Sequence, residues 1–245
     1  MSLQTSTSFM PEKLRILSGS ALKMLAMVIM LIDHTASFLL RHYPPAIAPW
    51  FQIGSTTYSL YRVMRDVGRS AFPIFCFLLV EGFLHTHNRF KYGRNLLIFA
   101  CISEIPYDLA MQETWLEFSR QNTIWTLTLG LLMLALCRKY QYSVWAVAGI
   151  AVVCCAAAAL LRFDYGAGGI VLILILYFLR DRQWLKYLAM LGLSVLWFGG
   201  TEIAAMISII FMLAYNGKHG KNMKYMFYWF YPVHLAVLFF IKILI

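Results

Sequence analysis

An aspartate and a histidine stand side by side inside the apolar stretch Met24 to Leu40 (MLAMVIMLIDHTASFLL), as Asp33-His34. At the centre of a membrane helix an ionisable side chain costs about 2.5–3.5 kcal/mol on insertion scales, so the pair calls for a use. Neighbours on a helix point about 100° apart and cannot both aim at one substrate atom, so one reacts or binds while the other anchors. His34 is the better reactive group, because an imidazole takes a proton near neutral pH. Asp33, kept ionised, would pair with Arg65 or Arg69. A structural ion pair locking two helices together is the plainer use of the same residues.

Other polar residues interrupt apolar runs. Arg69 opens Gly68-Arg69-Ser70-Ala71-Phe72-Pro73. There the proline frees the carbonyl four residues upstream, which must find a partner or line a polar cavity unless the helix is only kinked. Glu81 and His85, four apart, share a helix face, with His87, Arg89, Lys91 and Arg94 just beyond. This reads as a polar lining above a basic mouth that suits phosphates, or as ordinary inner-side positive charge. Two ligands are too few to argue for a metal. The islands Ser103 to Asp108, Asn122 to Thr128 and Asp164 to Gly169 would build a mouth around His34, or act only as caps and turns. A second intramembrane histidine, His234, follows Tyr231 and Pro232. It is a functional candidate or a hydrogen-bonded structural residue.

These residues need a membrane scaffold. Of 245 residues 61% are hydrophobic and 13% charged, against about 25% charged in an ordinary soluble domain; the mean hydropathy is +0.68. Apolar runs near 20–41, 67–85, 92–111, 122–138, 144–161, 168–180, 184–199, 201–215 and 226–244 predict an all-α bundle of about nine transmembrane helices. Residues 1–19 form a polar N-terminal segment and 20–245 the membrane domain. The first run exceeds a signal-peptide core and no A-x-A site follows it, so the first helix is expected to stay in the mature protein. Loops rich in Lys and Arg alternate with poor ones, which predicts a cytoplasmic N-terminus and an external C-terminus. The net charge of +10 thus belongs to inner loops, and nucleic acid is not an expected partner. All five cysteines lie in apolar runs without a zinc or redox spacing and read as small buried side chains.

The segment 42–66 breaks the alternation, being external by count yet carrying Arg62 and Arg65, with Arg69 just beyond. Uncompensated guanidinium groups on the outer side point to function, or to a surface cluster with Asp66 at helical spacing. Tyr43, Trp50, Phe51, Tyr58 and Tyr61 suit an interfacial or re-entrant segment.

Together and in order, VIMLIDH, GRSAFPIFCFLLVEGF, NTIWTLTLG, DYGAGGIVLIL and FYPVHLAVL resemble the TraX family over about Leu22 to Leu244. The family's namesake acetylates the N-terminus of F-type conjugative pilin. TraX proteins in turn resemble the broader transmembrane acyltransferases, among them the lysosomal heparan N-acetyltransferase, which use cytoplasmic acetyl-CoA and a first-helix histidine facing the far side. The resemblance implies acetyl transfer across the inner (cytoplasmic) membrane. The matching positions are Asp33, His34, Gly68, Arg69, Pro73, Asn122, Tyr165, Gly166, Tyr231 and His234. On this reading His34 is the base, Asp33 and Arg69 fix the site, and Asn122, Tyr165 or His234 donates to the oxyanion. Arg65, Glu81, His85, Arg89, Arg94 and Tyr231 form the set expected to hold acetyl-CoA, with no metal.

The expected partners are acetyl-CoA, membrane lipid and an external acceptor such as a pilin-like protein or a glycan. Direct transfer and a route through acetyl-His34 are both open, as is a homodimer. A transporter or channel relaying protons through the same Asp, His and Arg, and a non-catalytic assembly subunit, are the competing classes. A reporter fused to the C-terminus should be active only on the outer face; activity in the cytoplasm would overturn the nine-span arrangement.

Overall fold

The computed structural model describes residues 10–54, 56–198 and 202–244, so the polar segment is seen only from Met10 onward. Its first long helix is α1 (Gly19–Thr35), which runs on as a π-helical turn over Ala36–Leu40. A short helix α2 (Pro44–Ile47) and a hairpin of β1 (Phe51–Ile53) and β2 (Thr56–Tyr58) follow, with Phe51 opposite Tyr58. Then come α3 (Leu60–Gly68), α4 (Ala71–His85), α5 (Arg89–Gln112), α6 (Thr123–Lys139) and α7 (Val144–Leu160). The series ends with α8 (Gly166–Phe178), α9 (Gln183–Leu193), a second π turn over Ser194–Phe198, α10 (Glu202–Leu213) and α11 (Lys224–Leu244). Helices coincide with the apolar runs, and the all-α expectation holds but for the small hairpin. Three stretches, Gly19–Leu40, Leu60–His85 and Tyr225–Leu244, are long and apolar enough to cross a membrane, and Val144–Leu160, Gly166–Phe178 and Glu202–Leu213 are shorter apolar helices.

The arrangement is that of a membrane protein. Val152, Val153, Leu160, Leu196 and Phe240 are exposed on the outer faces of the helices, where a lipid surface accepts what water would not. The interior is centred on α4, which buries residues on every side, from Phe72 and Ile74 to Val80 and Phe83. A helix apolar all round belongs in the middle. Cys76, Cys137 and Cys154 are buried as expected, whereas Cys101 faces outward from α5.

Close helix contacts rest on small residues and satisfied ends. A Cβ on Gly68 would stand 2.6 Å from the Asp33 Cα, so α3 lies with its backbone directly on α1 at the position of the acid. The chain breaks between α3 and α4, and Pro73 falls in the first turn of α4, where its missing N–H costs nothing. Pro73 thus lies just past the junction of two helices inside the single apolar stretch Leu60–His85. At the other end of α1 the first-turn donors find loop partners: Gly19 N–H donates to the Lys218 carbonyl at 2.7 Å and Ser20 N–H to that of His219 at 3.0 Å. Gly217 and Gly220, at φ +76° and +78°, bend the loop back to make this possible.

Between α5 and α6, Asn122 is wholly buried as the helix N-cap. Its Oδ1 accepts from Ile124 N–H at 2.9 Å, while its Nδ2 donates to the Ala100 carbonyl at 2.8 Å and to the Glu104 carboxylate. Trp125 Nε1 donates to the same carboxylate oxygen at 2.8 Å. Beyond the bundle end, Lys242 Nζ meets Glu113 at 2.6 Å and holds that exposed carboxyl below its ordinary range.

Gly68→Ala should lower stability by about 1–3 kcal/mol through overpacking of two backbones. Thermal unfolding in detergent measures this; an unchanged midpoint would show that α1 and α3 are free to part.

Candidate functional site

Two cavities enter the bundle from opposite ends. The first, about 540 Å³, opens where α1 and α5 begin and α4 ends. Met27, Met30, Phe75, Leu78 and Leu79 make its apolar lumen, and Lys23, His85, His87, His219 and Lys221 its rim. The loop that caps α1 sets the rim, because the bonds holding Lys218 and His219 to Gly19 and Ser20 fix Lys221 as well, whose N–H donates to Ser20 Oγ at 3.0 Å. The second cavity, about 390 Å³, opens where α1 ends and α8 begins. Asp33, His34, Arg41, Arg65, Arg69, Arg120, Asp164 and Tyr165 line it, against Phe72 and Phe198. Both π-helical turns reach this cavity, through Ser37 and through Ser194 and Phe198. Such turns recur at functional sites, where the extra residue re-aims side chains.

Little separates the cavities. Tyr231 belongs to the first and His34 to the second, and their rings meet edge to face at 6.0 Å. Thr123 belongs to the first and Asp164 to the second, joined by a hydrogen bond of 2.7 Å from the threonine hydroxyl. The Tyr231 hydroxyl stands beside Thr123, buried, without a well-formed hydrogen bond among the described residues.

Hydrogen bonding fixes the state of the two histidines. His234 Nδ1 lies 2.7 Å from the Phe230 carbonyl, which can only accept, so Nδ1 carries the proton. In the neutral ring His234 Nε2 is then an acceptor, and it lies 2.7 Å from His34 Nδ1. His34 therefore donates from Nδ1 and keeps its lone pair on Nε2. The two rings are coplanar within 2°, and Phe38 stacks on His34 at 5.2 Å. His34 is half-buried on the second cavity, its ring held by His234.

Asp33 takes the anchoring role, with Arg65 Nη1 at 2.6 Å from its Oδ2. Arg62 closes instead on Asp66 within α3, Nε to Oδ2 at 2.9 Å, at the helical spacing the sequence offered but with the carboxylate buried. Arg69 lines the second cavity without a carboxylate at ion-pair distance among the described residues. Asp164 receives Arg120, whose Nε stands 2.8 Å from Oδ1. Tyr165 stacks flat on Phe72 at 3.4 Å and meets Phe198 edge-on at 6.1 Å. The glycines beside it leave room for these rings: a Cβ on Gly169 would reach 2.8 Å from Tyr165, and one on Gly168 2.7 Å from Phe198.

Of the residues singled out in the sequence, Asp33, His34, Arg69 and Tyr165 share the second cavity and His234 supports His34 from behind. Asn122 is placed elsewhere: it lines neither cavity, and both its N–H donors are engaged, so none is left for an oxyanion. Glu81, His85 and Tyr231 line the first cavity, but Arg65 stands in the second, on Asp33. Arg89 and Arg94 line neither; Arg89 lies over the Phe83 ring at 4.8 Å and donates to its carbonyl at 3.2 Å. Lys23 and Lys221 were legible only as inner-side charge and His219 was not singled out, because the loop geometry that brings them to the rim has no local signature.

The family model described as TraX protein matches residues 18–242. A relative from Dichelobacter nodosus, named "Probable fimbrial assembly protein FimC, serogroup H1", is 31% identical over an alignment covering 90% of this chain and 94% of the relative. No solved structure matches. The histidine on the first helix, its acidic neighbour and the DYGAGG turn thus sit in a chain that belongs to the TraX family.

Proposed function

We propose that the protein is a multi-pass acetyltransferase of the inner membrane, taking acetyl-CoA from the cytoplasm and passing the acetyl group to an amine or hydroxyl on the outer side. The observation that carries this reading is the pair of opposed cavities divided by Tyr231 and His34. With the N-terminus inside, the first cavity is cytoplasmic. Its cationic rim suits the phosphates of CoA and its apolar lumen the pantetheine arm. The Tyr231 hydroxyl at its inner end, beside Thr123, fits a thioester carbonyl, replacing Asn122 as the oxyanion donor.

In the direct route the acceptor's amine nitrogen attacks the acetyl carbon while His34 Nε2 removes its proton. The nitrogen–carbon bond forms, the carbon–sulfur bond breaks, and the imidazolium returns that proton to the departing thiolate. His234 holds the tautomer that leaves Nε2 free, and Asp33 with Arg65 fixes the helix at that point. The family's namesake and the fimbrial relative favour a pilin-like acceptor.

Purified protein given labelled acetyl-CoA and a panel of amine acceptors should transfer label, and His34→Ala should lose at least about 100-fold in rate, the usual weight of a general base. Wild-type protein that neither binds acetyl-CoA nor transfers the label would overturn the transferase reading and leave the assembly role. His234→Phe keeps the ring but removes the acceptor for His34 Nδ1, and should lower kcat with little change in the KM for acetyl-CoA. An unchanged kcat would remove His234 from the mechanism.

A further inference from the structure

Charge in the outer cavity does not balance. Four arginines and two aspartates line it. Arg65 is matched by Asp33 and Arg120 by Asp164. Arg41 and Arg69 have no carboxylate at ion-pair distance among the described residues. Arg41 is exposed at the mouth, while Arg69 is half-buried in the recess, where an unmatched cation is costly. The loop-charge rule also disfavours cations at this end, so membrane insertion does not account for them.

Helix packing fixes where Arg69 stands. Gly68 presses its backbone onto Asp33, and Arg69 follows immediately, so its guanidinium is delivered to the cavity beside the reactive histidine. Phe72 and Tyr165, stacked on each other, make a rigid wall nearby. A volume of about 390 Å³ holds the end of an acceptor, one residue or one sugar, and not a folded domain.

We infer that the acceptor carries an anionic group, a carboxylate or a phosphate, close to the nucleophile, and that Arg69 binds it with Arg41 as a second contact at the mouth. Guanidinium groups match both anions through paired N–H donors. The inference rests on the transferase reading for the word acceptor, while the anion subsite itself does not.

Two measurements keep these apart. In the first, inorganic phosphate is titrated against the full-length protein in detergent, following the thermal midpoint. Wild type should be stabilised and Arg69→Gln should bind at least tenfold more weakly, while Lys139→Gln, at the exposed end of α6 and lining neither cavity, should behave as wild type. Stabilisation retained in full by Arg69→Gln, or none of wild type, would overturn the subsite. In the second, acetyl transfer is compared for Gly-Glu amide against Gly-Gln amide and for glucosamine 6-phosphate against glucosamine. At least one charged member should exceed its neutral partner about tenfold in kcat/KM, mainly through KM, and Arg69→Gln should erase that ratio while Arg69→Lys keeps part of it. The pair showing preference identifies carboxylate or phosphate. Equal rates within both pairs would overturn the inference while leaving the transferase intact. Phosphate binding that depends on Arg69, with no transfer to any probe, would uphold the subsite and count against the transferase.

Discussion

A carboxylate inside an apolar bundle has to meet a cation, and the architecture around α1 follows from that demand. Arg65 reaches Asp33 only because Gly68 lets α3 lie with its backbone on α1. That approach ends α3 at the site, brings Arg69 into the recess and starts α4 with a proline where no donor is needed. Removing one partner would leave an uncompensated charge, a far larger penalty than an exposed pair would carry. The ion pair thus fixes the end of α1 on which His34 sits, and the histidine inherits its position from the residue before it.

Much of this was legible in the chain. The apolar runs place the helices, and the isolation of Asp33, His34 and His234 in them flags the residues that the fold brings together. Arg65 and Arg69 were both visible as partners for Asp33, but only the packing at Gly68 decides between them. Asn122 misled because an asparagine at a helix start has two uses that look alike in sequence: capping its own helix and offering its amide to a ligand. Its donors go to Ala100 and Glu104, residues on another helix that no local pattern connects to it. The inner rim was hidden for the same reason, since His219 and Lys221 reach it through a glycine-bent loop anchored on Ser18 to Ser20. Long-range closure is what a single sequence withholds.

The tautomer argument distinguishes the two chemical readings of the buried histidines. A proton relay needs each imidazole to accept on one nitrogen and release from the other as the proton passes. His234 Nδ1 faces a carbonyl that accepts but cannot yield a proton, so the chain ends at Phe230. What such an arrangement does well is hold a neighbouring ring still and direct its lone pair outward. That is the task of a general base, and it is the reason the transferase reading fits these residues better than a conduction pathway.

Separation of the cavities points the same way. A channel or a transporter intermediate needs a route wide enough for its cargo, whereas here the two cavities are divided by side chains in direct contact, Tyr231 against His34 and Thr123 against Asp164. On the transferase reading only a two-carbon unit has to cross. A thin partition is then an advantage, because it brings a thioester from one side within reach of a nucleophile from the other while keeping the bulk of both substrates in their own compartments. The partition also carries polar groups: the Tyr231 hydroxyl is buried there beside Thr123, whose own hydroxyl donates to Asp164. Apolar side chains would seal the bundle at lower cost, so polar ones at this depth fit the transferase reading better than a purely structural partition.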